Sequence, residues 1–407
     1  MPPCCSPGSA GRAGCDRGVK DNSREPVSLL HDFVAQQHAN VFMRAFSFET
    51  SLLPAGADNN AELADRVMIM DGIGFIFQLC EREPKVTSKA GDLEKWVQNQ
   101  VSRKGAKHIQ NTRELLSGYM GLSIVNHFGH RVTVTPHDPD SFVSLIVYRV
   151  PAKSRQFRAP RFKRSRNGGF VHILRDAEYF EICDHFATPA ELSDYFEFRR
   201  DLLLDWDPAS AAVSETALIG QYLLEDYSSA PSPRFESAAE AHIGARACEF
   251  SFVLDSLAAK IATQDHELAD GDGYEILSEL AWLGRHDLRA LKYEVRCALD
   301  AVRSNRFELP YRIASARTGC GFILVPVTRE FQDRALDALR SLAQASKHEL
   351  DLERQVGIAL WQDSEFVDVD WVFIEGENAP DPALDERLAR SYPFRTSSEQ
   401  RLAPVFT

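Results

Sequence analysis

Apolar and polar positions follow two different rhythms along the 407-residue chain. Leu29, Leu30, Phe33, Val34, Val41, Phe42 and Phe46 recur at helical spacing, which predicts a helical opening from about residue 28. Two strand-like runs follow, Arg66–Met70 and Gly74–Leu79, and the Asp71-Gly72 pair between them predicts a hairpin. Asp92 is a suitable N-cap for a long helix ending at Gly118, with Leu93, Val97, Val101, Ile109, Leu115 and Leu116 along it. Gly105 inside that helix costs about 1 kcal/mol relative to alanine. Strand patterns return at 131–135, 141–150 and 169–174. The order up to residue 175 is therefore helix, strands, helix, strands.

From Thr188 the rhythm becomes helical. Thr188-Pro189-Ala190-Glu191 reads as a capping box with proline at the first helical position, opening a helix to Leu204. Helical patterns cover 239–263 and 274–304. A strand at 321–327, a helix at 330–350 and strands at 356–361 and 367–374 complete the series. The expected fold class is α/β in four parts. These are a disordered leader at 1–27, an α/β domain at 28–175, an acidic, mainly helical region at 176–310 and a small α/β region at 311–407. Ser228–Arg234 is a candidate linker or internal loop. Trp282, Trp361 and Trp371 lie in apolar patterns and are expected in the core. No run approaches the 18 apolar residues of a membrane span.

Charge changes the picture only when divided along the chain. The total of 46 Lys+Arg against 59 Asp+Glu gives −13, which alone argues against a polyanionic partner. Up to Arg175, however, there are 24 basic and 16 acidic residues, and beyond it 22 and 43. A basic front and an acidic back suggest two surfaces with different partners. The eight cysteines form no CxxC pair, and no apolar signal segment precedes the first helix. Reduced thiols and a cytoplasmic location are expected.

The chain has no phosphate-loop, nucleophile-elbow or H-E-x-x-H motif. His127, His130 and His137 match no zinc spacing. One constellation carries chemistry. Glu62 and Asp65 lead into the first hairpin arm, and Gln78-Leu-Cys80 closes the second, so antiparallel pairing sets Asp65 beside Gln78. Two oxygens there suit a hard cation such as Mg²⁺, and they equally suit solvated strand-end polar residues.

The segment from Glu62 to about Leu116 resembles the restriction-endonuclease-like PD-(D/E)XK nuclease superfamily, in the branch whose second motif reads Q-x-K. Ala61–Ile69, Phe75–Arg82 and Trp96–Gln110 carry the resemblance. It implies an N-terminal restriction-endonuclease-like α/β core and Mg²⁺-dependent phosphodiester hydrolysis of DNA. Asp65 would be the metal-binding carboxylate, Gln78 the second metal-proximal group and Glu62 an additional acid. The family's lysine falls at Cys80, a weak neutral donor, which implies impaired catalysis or rescue by another cation, with Arg82, Lys85 and Lys89 as candidates. The alternative is a non-catalytic nucleic-acid-binding or protein-scaffold module that keeps the fold.

Lys153–Arg166 holds seven Lys/Arg and no acid, with Phe157 and Phe162 interleaved. Arg161, Lys163, Arg164 and Arg166 are candidate nucleic-acid contacts through phosphate charge, and the aromatics through stacking. A second basic stripe runs through Lys95, Arg103, Lys104, Lys107 and Arg113. Docking of this segment on the chain's own acidic half is an equal expectation, and that acidic half is also a candidate surface for a protein partner.

Overall fold

The computed structural model describes residues 29–38, 41–50, 62–70, 72–82, 90–118, 122–125, 131–134, 142–151, 159–165, 169–206, 213–248, 251–264, 272–363 and 365–395. The expectations for 1–27, for Lys85 and Lys89, for the three loop histidines and for Arg166 lie outside them.

The chain opens with α1 (Leu29–Gln37) and α2 (Val41–Phe46), so one apolar stripe is divided between two helices. His38 closes α1, its buried ring meeting Tyr179 Oη at 2.6 Å and Ser47 Oγ at 3.2 Å. Then come β1 (Ser47–Glu49), β2 (Arg66–Met70) and β3 (Ile73–Glu81), which form an antiparallel meander. Gly72, at φ +73°, turns the β2–β3 hairpin in the left-handed region that glycine accepts.

The long helix expected from Asp92 is α3 (Ala90–Trp96), a π-helical stretch Val97–Gly105, and α4 (Ala106–Gly118). Val97, Val101, Gly105 and Ile109 repeat every four residues and all are buried. In an α-helix that repeat drifts by about 40° per step, and the wider winding of a π-helix offsets the drift. Gly105 is explained by packing: a Cβ there would lie 3.1 Å from Ile146 Cδ1 and 3.4 Å from Gln78 Cγ. Its helix-propensity cost permits close approach to the sheet.

A hairpin of β4 (Leu122–Val125) and β5 (Arg131–Val134) precedes β6 (Phe142–Arg149), β7 (Phe162–Ser165) and β8 (Gly169–Arg175). The main sheet has the order β1-β2-β3-β6-β8-β7, with β3, β6 and β8 parallel. The π-containing helix covers one face through Val67, Ile76, Val101, Ile109 and Ile146.

Helices follow from Asp176 onward: α5 (Asp176–His185), α6 (Pro189–Asp205), α7 (Glu215–Leu223), α8 (Glu236–Cys248), α9 (Ser251–Gln264), α10 (Asp272–Ala281) and α11 (Arg285–Arg303). The capping box works as a relay: Thr188 Oγ1 accepts from Glu191 N at 3.1 Å, while the Glu191 carboxylate accepts from Ala187 N at 2.9 Å. Each of the two longer helices expected at 239–263 and 274–304 is two helices. Between α10 and α11, Leu283 turns into the core and its carbonyl accepts from Thr188 Oγ1 at 3.0 Å. Ser228–Arg234 is no linker. Gln221 Nε2 donates to Asp226 O and Ser229 O, and this tight loop joins α7 to α8.

The second sheet, in the order β12-β11-β10-β9, comprises β9 (Tyr311–Ala314), β10 (Cys320–Val327), β11 (Arg354–Asp363) and β12 (Phe366–Glu375). Helix α12 (Ala335–Glu349) crosses between β10 and β11, and α13 (Pro382–Arg390) follows β12. One apolar cluster contains Leu30, Phe75, Phe196, Leu291, Phe322 and Ile358, so both sheets and the helices between them share a core. Trp361 and Trp371 are buried and Trp282 packs against that core. Among the described residues no helix is long and apolar enough to cross a membrane.

Candidate functional site

The backbone N–H of Asp65 donates to Phe77 O at 3.0 Å, extending the β2–β3 ladder by one residue and setting its side chain against Gln78. Asp65 Oδ2 accepts from Gln78 Nε2 at 2.5 Å and from Leu79 N at 2.6 Å. Asp65 Oδ1 stands 3.6 Å from His31 Nε2. Helix α1 brings this histidine in, its N-terminus held by Leu30 N donating to the Glu81 carboxylate at 3.1 Å.

Gln78 Oε1 faces His108 Nδ1 at 2.8 Å, and His108 Nε2 faces Glu62 Oε2 at 2.7 Å. Lys104 Nζ lies 3.3 Å from the same Glu62 oxygen. Asn111 Nδ2 fixes the Glu62 backbone by donating to its carbonyl at 2.9 Å. A continuous polar chain thus runs His31, Asp65, Gln78, His108, Glu62, Lys104 across the hairpin and the helix behind it. Lys104 and His108 are four residues apart where the π-helical stretch gives way to α4, so one helix face presents both.

The electrostatics differ along the chain. Burial pushes the Asp65 carboxyl up, against the pull of the Leu79 N–H and the nearby His31, His108 and Arg66. Glu62 is exposed and held below the usual carboxylate range by its hydrogen bonds to His108 and Lys104. Cys80 points into the apolar layer under the helix, its Sγ 3.8 Å from Gln100 O. Burial, reinforced by the charge of Asp65, pushes its thiol up to about 12, with Lys104 opposing. A thiol in that state is neither a nucleophile nor a charge-stabilising cation.

The donor set has a definite chemistry. Mg²⁺ binds through one or two carboxylates and keeps several waters. Asp65 and Glu62 supply carboxylates, whereas the Gln78 oxygen is engaged by His108 and its nitrogen by Asp65. Among the described residues no group of three or more His, Cys, Asp or Glu side chains is placed to hold a metal. These residues do not fit an all-protein cage, and a hard cation here would have few protein oxygens and keep most of its waters.

The basic residues divide sharply. Arg161 binds within the acidic helical region: Nη1 donates to Val213 O at 2.8 Å and Nη2 pairs with buried Glu215. Lys163 Nζ donates to Ser102 O at 2.6 Å, on the π-helical stretch. Arg113 is buried against Gly169, where a Cβ would fall 2.5 Å from its Nη1. These three therefore act inside the fold and are not free phosphate contacts. Lys107 and Arg164 are exposed, and Arg82 lies over the Trp96 ring at 6.0 Å.

His108 and His31 were absent from the sequence-based candidates. The available signal was His108 one helical turn beyond Lys104, but pairing it with Glu62, 46 residues away, requires the phase of the π-containing helix. Comparison with protein-family models, with curated proteins and with solved structures found no match.

Proposed function

We propose that the Asp65–Gln78–Glu62 cluster is the centre of a Mg²⁺-dependent phosphodiester hydrolase acting on DNA, weakened by the thiol at position 80. The observation that carries this reading is the hydrogen-bonded Asp65–Gln78 pair on adjacent hairpin arms, joined through His108 to a second carboxylate. The order of helix, antiparallel meander, helix and parallel β6 supports it, because it agrees with the core of the PD-(D/E)XK nucleases that Ala61–Ile69, Phe75–Arg82 and Trp96–Gln110 resemble.

Asp65 would hold the ion directly, and Glu62, at the far end of the Gln78–His108 relay, would act on it through retained waters. When bound, it would activate water and neutralise charge on the phosphoryl oxygens. Gln78 orients the Asp65 carboxylate through Nε2, and His108 fixes both Gln78 and Glu62. Lys104 supplies an ammonium to this cluster. Cys80 contributes no charge, so the donor that would stabilise the transition state from the strand is missing. Loss of one such donor costs about 10²–10³ in rate.

The test is nicking of supercoiled plasmid with Mg²⁺ present or chelated. Asp65→Ala is expected to abolish cleavage, and Cys80→Lys to raise it by about 10²-fold. Cleavage that survives both Asp65→Ala and chelation refutes the site. A second reading, a non-catalytic module retaining the fold, is favoured by the buried neutral Cys80. It is preferred if Cys80→Lys remains inert while the wild type binds DNA.

A further inference from the structure

A large cleft lies between α12, α13 and the outer strand β12. Its volume is about 1260 Å³, above the roughly 300–1,000 Å³ usual for small-molecule sites. Leu336, Leu342, Trp361, Val372, Leu384 and Leu388 provide its apolar walls. Such a space is large enough to take a long apolar chain.

The charges around it select the head group. The cleft's aspartates already have partners: Asp368 pairs with Lys260, Asp370 lies in the field of the same lysine, and Asp381 caps α13 by accepting from Leu384 N at 2.9 Å. Burial raises Asp370, with Lys260 opposing. Arg390 pairs with Glu386 at 2.5 Å. Arg340 on α12 and Arg387 on α13 also line the cleft, and neither has an ion-pair partner among the described residues. Trp361 lines the same cleft with its ring, of which little is exposed, so what it offers a ligand is apolar surface.

We propose that this cleft binds an amphipathic monoanion, a long-chain carboxylate whose tail lies against Trp361, Leu384 and Leu388 and whose head is held by Arg340 and Arg387. The apolar walls contribute affinity by area, and the two guanidiniums discriminate by charge-assisted hydrogen bonds. This site is independent of the hairpin cluster, and its test does not depend on nuclease activity.

Calorimetric titration of the full chain with sodium dodecanoate below its micelle concentration is the experiment. Dodecanol and dodecyltrimethylammonium serve as neutral and cationic probes. Saturable dodecanoate binding is expected, at least tenfold tighter than dodecanol, with no binding of the cation. The Arg340→Gln/Arg387→Gln double variant alters exposed side chains only. It is expected to weaken dodecanoate at least tenfold, to leave dodecanol unchanged and to keep the wild-type urea midpoint. Absence of saturable binding, equal affinity for acid and alcohol, or indifference to the double variant would each overturn the proposal.

Discussion

Glu215→Gln is the perturbation that most directly tests how the two halves are joined. The Glu215 side chain is fully buried and accepts from Arg199 Nε at 2.7 Å, Arg199 Nη2 at 3.2 Å and Tyr195 Oη at 2.5 Å, while Arg161 closes on its second oxygen. Arg199 also contacts His172 Nδ1 on β8 at 2.9 Å, so the network bridges α6, α7 and the main sheet. Burial alone would raise the carboxyl, but the Arg199 and Arg161 guanidiniums outweigh it and hold Glu215 at about 2, from an ordinary 4.5. That depression corresponds to about 3 kcal/mol of folding stability. The folded-state value lies below the unfolded one. The contribution is therefore complete above pH 4.5 and disappears as pH falls towards 2. Replacing the carboxylate by an amide leaves Arg199 buried without its counter-charge, which costs about 3–5 kcal/mol. Urea unfolding at pH 7, followed by tryptophan fluorescence, should show that loss in the variant. Repeated between pH 5 and 2.5, it should show wild-type stability falling while the variant lacks that part of the slope. A loss below about 1 kcal/mol at pH 7, or an unchanged slope in the acid range, would refute the role assigned to the network.

Three other outcomes follow from the geometry. Cys80, with its thiol pushed up to about 12, should resist iodoacetamide at pH 8 in the folded protein and react after denaturation; rapid native alkylation, read by peptide mass spectrometry, would contradict its placement. Gly220→Ala puts a Cβ 1.9 Å from the Phe235 carbonyl oxygen, so α7 and α8 must separate, and a loss of about 3 kcal/mol in urea titration is expected; an unchanged midpoint would count against that contact. Lys104→Ala should reduce any metal-dependent nicking at least tenfold while leaving the urea midpoint unchanged, because Lys104 and Glu62 are both exposed; full retention of nicking removes Lys104 from the reaction.

The hairpin geometry was readable because antiparallel pairing is local: once β2 and β3 are recognised, Asp65 and Gln78 must be neighbours. The helix behind them was readable only in extent. No propensity marks a π-turn, so the phase that sets Lys104 and His108 against Glu62 had no sequence signature beyond the four-residue repeat of Val97, Val101 and Gly105. Gly105 itself was legible as an oddity, and its purpose required knowing that Ile146 lies beneath it. The fate of the basic segment was decided by partners far along the chain. Arg161 resembles any solvated arginine until Glu215, 54 residues later, is brought beside it. The helix break between Ala281 and Arg285 has no apolar signature, because the spacing continues across it and Leu283 within it is fully buried.

The shared apolar core has a practical consequence for anyone dissecting this chain. A fragment ending at Arg175 would keep every strand of the first sheet but leave Phe75, Leu145 and Leu174 without the helices that cover them. It would expose a wide oily face, and such a piece would be expected to precipitate before it could be assayed. Deletion mapping of activity would then report solubility, whereas point substitutions leave the cover in place.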